Sequence, residues 1–233
     1  YESSKGDMDM ALVGDCLLHK TMLSNFREES YLDLIRLIQD ADLSYANLEG
    51  VIHQYEGPPG AREGAFPTAF HPRCLEELQW MGFDMVSCAN NHSMDYGEWA
   101  PLNTIDHLEQ AGLVHAGTGR SLFEARAPGY LELAAGRVAL ISVTTTFEPH
   151  ERAGEQTPQV EGRPGANCLG SELEYVVDQT TLQYVRGLGE KLGDEARKDR
   201  GRQYHIMNVP DDTDNEHHFL GKRFVQGEEF TVR

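Results

Sequence analysis

The sequence lacks the apolar segments that mark a membrane protein. No apolar run approaches the roughly 20 residues that a membrane-spanning helix requires. The first residues, YESSKGDMDM, contain no apolar region of the kind found in export signals, and the chain has no initiator Met. We predict no membrane span and a cytoplasmic location, while a leader that has already been removed stays open as an alternative.

Positive charge is also scarce. Lys and Arg number 20 against 38 Asp and Glu, which gives a formal net charge of −18 at pH 7. Such a chain repels nucleic-acid phosphates and anionic membrane surfaces, so we expect neither as a partner. An anionic substrate remains compatible with this charge, because a bound metal ion can reverse the local field.

Cysteine is sparse, and its spacing does not fit a metal-binding motif. The four cysteines are far apart in the sequence: Cys16, Cys74, Cys88 and Cys168. We interpret them as reduced thiols, which agrees with a cytoplasmic location.

Strand-like and helix-like segments alternate along residues 9–147. The strand-like segments include DMDMALVGDCLL, DLSYANLEG, FDMVSCAN and the hairpin pattern YLELAAGRVALISVTTT. Between them, YLDLIRLIQDA, CLEELQWMG and PLNTIDHLEQAG have helical periodicity, with Gly82 and Gly112 as helix stops. This alternation predicts an α/β core with a largely parallel sheet.

Residues 148–233 predict a loop-rich and helical extension or insertion. The segment SELEYVVDQTTLQYVRGLGEKLGDEARKD indicates one or two amphipathic helices that include Val176 and Val177, and EHHFLGKRFVQGEEFTVR indicates short strands. Several acidic residues between them lack the spacing of a calcium-binding loop, so we expect a solvated acidic loop at Asp211, Asp212, Asp214 and Glu216.

Polar side chains follow three of the predicted strands. Asp15, Glu49 and the pair Asn91-His92 each come where an apolar strand ends, and parallel α/β sheets bind ligands beyond the carboxyl ends of their strands. Two carboxylates, an amide oxygen and an imidazole suit Mn, Fe, Zn or Mg. Two such ions can polarise a phosphoryl or carbonyl oxygen, and a neighbouring His can protonate a leaving group.

Each of these residues alone has an ordinary structural explanation. Asp at a strand end usually caps a helix or forms a turn, and most glutamates are solvated. Arg62, in a Gly-rich loop, either binds an anionic substrate group or is a plain loop arginine. His115 in VHAGTG either contacts substrate or closes a turn. Four further histidines have no supporting sequence context and are interpreted as surface groups: His53, His71, His107 and His150.

Five blocks of the sequence resemble a known family. LVGDCLL, ADLSYANLEG, GFDMVSCANNHSMDYG, HAGTGRSLFEARAP and GRPGANCL, in this order, are similar to the CapA-type capsule and poly-γ-glutamate biosynthesis family of bacteria. That family is a branch of the calcineurin-like metallophosphoesterase superfamily. The resemblance covers residues 9–170, and its NLE and ANNHSxDYG blocks are the most specific.

The resemblance implies a calcineurin-like metallophosphatase sandwich and a metal-dependent hydrolase that acts on a phosphoester or amide bond. It makes Asp15, Glu49 and Asn91 ligands of one or two Mn, Fe or Zn ions. His92 is then the catalytic acid, with Asp95 orienting it. The substrate would be a small molecule or a polyglutamate-like polymer. The resemblance is also compatible with a homo-oligomeric protein.

The sequence departs from the family pattern at two points. Leu17 stands where the first motif has a His, and the later blocks that carry metal-binding histidines have no match. We therefore expect the fold to be incomplete at the C-terminus, with further ligands supplied by sequence beyond Arg233. The alternative is a non-catalytic accessory protein of polymer synthesis with a vestigial metal site.

Overall fold

The computed structural model describes residues 7–19, 28–60, 66–170, 173–204, 210–228 and 230–232. Their contacts divide the chain into two compact units, Tyr1–Leu169 and Gly170–Arg233. Each unit is described by itself.

Unit 1 alternates strands with helices, as the sequence pattern predicts. In chain order its elements are β1 (Met10–Cys16), α1 (Glu29–Gln39), β2 (Leu43–Leu48), β3 (Val51–Ile52), β4 (Ala69–Phe70), α2 (Cys74–Met81), β5 (Met85–Ser87), α3 (Trp99–Ala111), β6 (Val114–Ala116), β7 (Thr118–Gly119), α4 (Leu122–Ala125), β8 (Gly129–Leu133), β9 (Gly136–Leu140) and β10 (Gly165–Ala166). A short 3-10 helix, Pro149–Glu151, lies between β9 and β10.

A four-stranded parallel sheet forms the centre of unit 1, in the order β1-β2-β5-β6. The other described strands of this unit pair two by two: β3 with β4, β7 with β10, and β8 with β9 as a hairpin. The prediction of an α/β fold with a parallel sheet is confirmed. The second sheet of a calcineurin-like sandwich stays a prediction.

Helices α1, α2 and α3 bury one face of this sheet. Leu48 of β2, Leu78 of α2, Val86 of β5 and Leu108 of α3 are fully buried in one apolar cluster. Burying an aliphatic side chain of this size stabilises a fold by about 1.5–3 kcal/mol. The alternation of each strand therefore leaves its other side chains on the opposite face of the sheet.

Glycine ends two helices of this cluster, α2 and α3. Gly82 follows α2 with φ of 90° and Gly112 follows α3 with φ of 72°, the left-handed conformation that glycine adopts without strain. Both predicted helix stops are confirmed.

The opposite face of the sheet is exposed and largely apolar among the described residues. Leu12, Ile141 and Val143 are exposed there to 67%, 68% and 49%. A groove of about 440 Å³ crosses this face, and its walls include Val13, Tyr45 and Ser87. This groove ends at Asp15.

The boundary between the two units lies later than the predicted end of the α/β core at residue 147. Segment 148–169 belongs to unit 1 because it returns to the sheet edge. There Ala166 pairs with Thr118, and Asn167 donates from its backbone N–H to Gly117 O at 2.8 Å and from Nδ2 to Ser142 O at 2.8 Å.

Unit 2 is a second α/β unit with its own sheet. Its elements are β11 (Glu174–Val177), α5 (Gln179–Lys191), α6 (Asp194–Tyr204), β12 (Glu216–Phe219), β13 (Lys222–Gln226) and β14 (Thr231–Val232). The strands lie in the order β12-β13-β11-β14, with β11 parallel to β13 and the other pairs antiparallel. The strand prediction for the last residues is confirmed.

The helix that was predicted to include Val176 and Val177 begins later than expected. Val176 and Val177 form a strand because they pair with Val225 and Gln226, and β-branched side chains favour this conformation. The helix starts after Asp178, whose carboxylate accepts the backbone N–H of Thr181 at 2.7 Å as an N-cap.

A buried lysine holds the acidic residues of unit 2 together. Lys198 is 2% exposed, and its Nζ donates to Glu195 Oε1 at 2.8 Å and to Asp212 Oδ2 at 2.9 Å. Asp194, also buried, lies 3.6 Å away. Asp212 is therefore not the free loop carboxylate that the sequence predicted, because its side chain, which is 25% exposed, pairs with a lysine of α6.

The Asp212 carboxylate also contacts two neighbouring residues of β12, His217 and His218. His217 Nδ1 lies 2.8 Å from Oδ2, and the backbone N–H of His218 donates to Oδ1 at 2.8 Å. Burial alone would raise the pKa of Asp212, but the hydrogen bonds from Lys198 and His218 lower it to about 2. A depressed carboxyl pKa contributes stability above the unfolded value near 4, and this stability is lost as pH falls toward 2.

We predict that Lys198→Met destabilises unit 2 by about 1.5–3 kcal/mol, since it removes the buried ammonium that donates to Glu195 and Asp212 and lies beside the buried Asp194. Amide hydrogen exchange, followed by mass spectrometry, should become faster in α6 and β12. Lys191→Met, at an exposed position of α5, is the matched control and should leave exchange unchanged. Equal protection of α6 in wild type and Lys198→Met would contradict this role of the lysine.

Candidate functional site

The carboxyl ends of β1, β2 and β5 meet at one edge of the parallel sheet. Asp15 lies near the end of β1, Glu49 directly follows β2, and residues 90–96 form a turn after β5. The parallel register of these three strands brings the three segments together.

A β-bulge determines the direction of the Asp15 side chain. Leu12 pairs with Tyr45 and Asp15 pairs with Asn47, so β1 has one more residue than β2 between these pairs. In a regular register Asp15 would lie opposite Leu48, on the face that the helices bury. The bulge moves Asp15 to the open face, where Asn47 Nδ2 donates to Asp15 Oδ1 at 2.8 Å.

Glu49 lies between Asp15 and His92. Its carboxyl group faces that of Asp15, and burial, followed by the charge of Asp15, raises the pKa of Glu49. On the other side, Glu49 Oε1 lies 3.8 Å from His92 Nε2. Among the residues that the structure describes, no Lys or Arg forms an ion pair with either carboxylate. Two close carboxylates in this position favour a cation between them.

His92 and Asp95 form a hydrogen-bonded dyad within the turn after β5. His92 Nδ1 lies 2.6 Å from Asp95 Oδ2, which also accepts the backbone N–H of Thr68 at 2.6 Å. The Asp95 side chain is 1% exposed. Because a carboxylate only accepts, Nδ1 carries the proton and Nε2 is left facing Glu49.

The loop that follows β3 holds Asp95 through a backbone hydrogen bond. Gly60 N–H donates to Asp95 O at 2.6 Å. Earlier in this loop Gly57 packs against Trp99 so closely that a Cβ would lie 2.3 Å from its ring. A side chain at position 57 would therefore displace the loop that holds the dyad.

His53 anchors the same loop, which corrects the interpretation of this residue as a surface group. It is fully buried, with its ring centroid 4.3 Å from that of Tyr96 and 4.9 Å from that of Trp99. Its Nδ1 accepts the backbone N–H of Tyr55 at 2.9 Å. Burial lowers the pKa of His53, so the ring is neutral. No sequence pattern indicated this role of His53, since its ring partners Tyr96 and Trp99 come from another segment.

Asn90 and Asn91 have different surroundings. Asn90 is buried, its Nδ2 donates to Leu48 O at 2.8 Å, and its Oδ1 accepts the backbone N–H of His92 at 3.0 Å. It therefore shapes the turn. Asn91, predicted as a metal ligand, is the half-buried next residue of that turn.

Of the two predicted substrate contacts, Arg62 lies outside the described residues. His115 is not brought to this edge. His115 pairs in register with Val86, whose side chain points into the helix-covered core, and it interacts electrostatically with Glu109 of α3. His115 Nδ1 is buried and lacks a hydrogen-bond partner among the described residues.

One other group of metal-compatible side chains occurs among the described residues, in unit 2. Ligand atoms of Glu195, Asp212 and His217 all lie within 4.8 Å of one another. Lys198 Nζ already binds both carboxylates of this group, so an ion would have to displace a buried ammonium. We therefore assign this cluster to the stability of unit 2.

Comparison with known proteins agrees with the motifs at the sheet edge. The profile of the bacterial capsule synthesis protein PGA_cap matches residues 9–195. The chain belongs to this family. The match includes all of unit 1 from β1 onward and the first part of unit 2.

Two curated relatives of this PGA_cap protein come from Sinorhizobium fredii (strain NBRC 101917 / NGR234). They are the uncharacterized proteins y4sH and y4uA, each 32% identical over 201 residues. The alignments cover 85% of this chain and 43% of each relative, so the chain spans less than half of their length. None of the described helices is long and apolar enough to cross a membrane.

We predict that Asp95→Asn lowers the free energy of unfolding by about 1–3 kcal/mol, because a neutral amide oxygen accepts the bonds from Thr68 and His92 more weakly than the charged Oδ2 does. The ring nitrogen shifts of His92 in NMR should also change, as the Nδ1–H tautomer loses its charged acceptor. Asp106→Asn, at an exposed position, is the control. Unchanged ring nitrogen shifts in Asp95→Asn would show that Asp95 does not set the tautomer.

The buried position of His115 predicts a pH effect on stability. Burial lowers the pKa of His115, so the unfolded chain takes up the proton more readily. The free energy of unfolding should therefore fall as pH drops below the ordinary value of about 6.5 toward the lower folded value. His115→Leu should make this fall between pH 7 and pH 5 smaller, as measured by denaturant unfolding.

The matched control for this prediction is His150→Leu, at an exposed position, which should keep the pH dependence of wild type. An undiminished fall in His115→Leu would contradict the prediction.

Proposed function

We propose that this PGA_cap protein is a metal-dependent hydrolase that cleaves a phosphoester or amide bond in capsule or poly-γ-glutamate metabolism. The observation that carries the proposal is the placement of Glu49 between Asp15 and the His92–Asp95 dyad, at the carboxyl ends of adjacent parallel strands. Calcineurin-like metallophosphoesterases, which the sequence blocks resemble, place their metal ligands at such strand ends.

The residues present fit a divalent metal. Asp15 and Glu49 offer carboxylate oxygens on adjacent strands, and Asn91 offers an amide oxygen in the turn beside them. These three residues would hold the ion, and this donor set suits Mn, Fe or Zn. When bound, one or two such ions would polarise the bond to be cleaved and lower the pKa of water.

His92 would transfer a proton at the leaving group. Its Nδ1 proton is committed to Asp95, so Nε2 is the atom that gives or takes a proton. Thr68 N–H and the buried position of Asp95 keep this carboxylate from turning away from the ring. The dyad thus fixes one tautomer and one orientation of the imidazole.

The chain is strongly negative, so an anionic substrate could bind only if cations are also bound at the site. A net charge of −18 repels polyglutamate and phosphoesters alike. Asp15 and Glu49 would reverse this effect locally by binding a divalent cation. Arg62, predicted from the sequence as a contact to an anionic substrate group, would add to it.

A non-catalytic accessory role in polymer synthesis is the second candidate. One observation favours it: Leu17, which is 49% exposed, stands where related metallophosphoesterases have a His ligand. In this case the sheet edge would bind polymer or partner subunits, and the acidic pair would be vestigial. Metal content separates the two candidates.

The proposed function predicts that His92→Ala and His92→Asn lose turnover but keep their bound metal. Turnover of a chromogenic phosphodiester or a γ-glutamyl amide should fall by about 10²–10⁴-fold, the usual contribution of a general acid. Metal content, measured by plasma mass spectrometry, should stay near the wild-type value, because His92 is not a proposed ligand. His150→Ala, at an exposed position, is the matched control and should retain full turnover.

Two outcomes would contradict the proposal. The absence of bound Mn, Fe or Zn in the full chain, together with no turnover, would support the accessory role. Loss of both metal and folded structure in His92→Ala would show that His92 is a ligand or a structural residue.

A further inference from the structure

A chain of hydrogen bonds leads from the groove on the open sheet face to the Asp15 carboxylate. The Tyr45 hydroxyl donates to Ser87 Oγ at 2.9 Å, and Ser87 Oγ donates to Asn47 Oδ1 at 2.9 Å. Asn47 Nδ2 then donates to Asp15 Oδ1 at 2.8 Å. We call the first three residues the Tyr45–Ser87–Asn47 relay.

The direction of this relay is fixed by Asn90. Because Asn90 Oδ1 accepts the backbone N–H of His92, its Nδ2 must face Asn47, where it donates to Oδ1 at 3.1 Å. Asn47 Oδ1 therefore receives two donors and its Nδ2 is turned to Asp15. The single hydroxyl proton of Ser87 goes to Asn47, so the bond between Tyr45 and Ser87 requires Tyr45 as the donor.

The sheet itself places the members of the relay side by side. Tyr45 and Asn47 are two residues apart on β2 and share the open face, while Ser87 pairs with Asn47 on β5. No loop has to close to form the relay. It is therefore preorganised before any ligand reaches Asp15.

We propose that Tyr45 and Ser87 are positioning residues for Asp15, acting through the side-chain amide of Asn47. The inference rests on the proposed function in one respect, that Asp15 binds a metal. Without the relay, Asn47 Oδ1 loses the donor from Ser87 and keeps the one from Asn90, so the amide that presents Nδ2 to Asp15 is held less firmly. Loss of such supporting partners typically weakens metal affinity by about 10–100-fold.

Tyr45 could instead matter only through packing, since its ring lines the groove beside Val13 and Val143. Removing the hydroxyl alone separates the two roles, because Tyr45→Phe keeps the ring. Tyr130→Phe, at an exposed position of β8, makes the same chemical change away from the relay and serves as the matched control.

The test is a double-mutant cycle on Mn²⁺ affinity of the full chain, measured by calorimetry. Tyr45→Phe and Ser87→Ala should each raise the dissociation constant by about 10-fold. The double variant should bind no more weakly than Ser87→Ala, because Tyr45 acts only through Ser87. Additive losses, or an unchanged dissociation constant in Tyr45→Phe, would overturn the relay.

A second measurement does not depend on metal. In the metal-free protein, NMR should show faster solvent exchange of the Asn47 Nδ2 protons in Tyr45→Phe and Ser87→Ala than in wild type or Tyr130→Phe. If wild type binds no Mn²⁺, the proposed function fails. The exchange rates still show whether Tyr45 and Ser87 hold the Asn47 amide in place. Unchanged exchange in both variants would overturn the inference.

Discussion

Asp15 reaches Asn47 because β1 carries one more residue than β2 between the pairs Leu12–Tyr45 and Asp15–Asn47. In a regular register, the carboxylate would point into the apolar cluster beneath the helices, where an unpaired charge costs several kcal/mol. The bulge thus converts a core position into an exposed one at the end of a rigid strand. The contact with Glu49 and the hydrogen bond from Asn47 both depend on this one additional residue.

Asp95 links the stability of unit 1 to the geometry of its site. One of its oxygens accepts from both Thr68 and His92, and its backbone carbonyl accepts from Gly60. The loop between β3 and β4 and the turn after β5 are therefore joined through a buried carboxylate. Changes that loosen the packing of His53 would therefore alter the position of the His92 imidazole without contacting it.

The sequence predicted what depends on local pattern and on parallel strand ends. Alternating periodicity predicted the sheet and its helices, and strand-end positions predicted that Asp15, Glu49 and His92 lie close together. The sequence-based prediction failed for residues whose environment is determined by partners distant in the sequence. His53 is buried by rings from another segment, Asp212 is paired by Lys198, and Val176 is drawn into a strand by β13. The bulge in β1 was not predicted either, although Gly14 lies within it and an isolated glycine in a strand is one signal of a bulge.

Lys198 neutralises the acidic residues of unit 2 with a cation that is part of the polypeptide. Its local concentration is fixed by the fold and does not depend on the medium, whereas an ion recruited by Asp15 and Glu49 would come from solution and obey mass action. Chelators or metal starvation should thus act on unit 1 and leave the charge balance of unit 2 intact. With a metal bound in unit 1, the same chain would contain one acidic cluster whose charge balance depends on ions in solution and one whose charge balance is set by its own lysine.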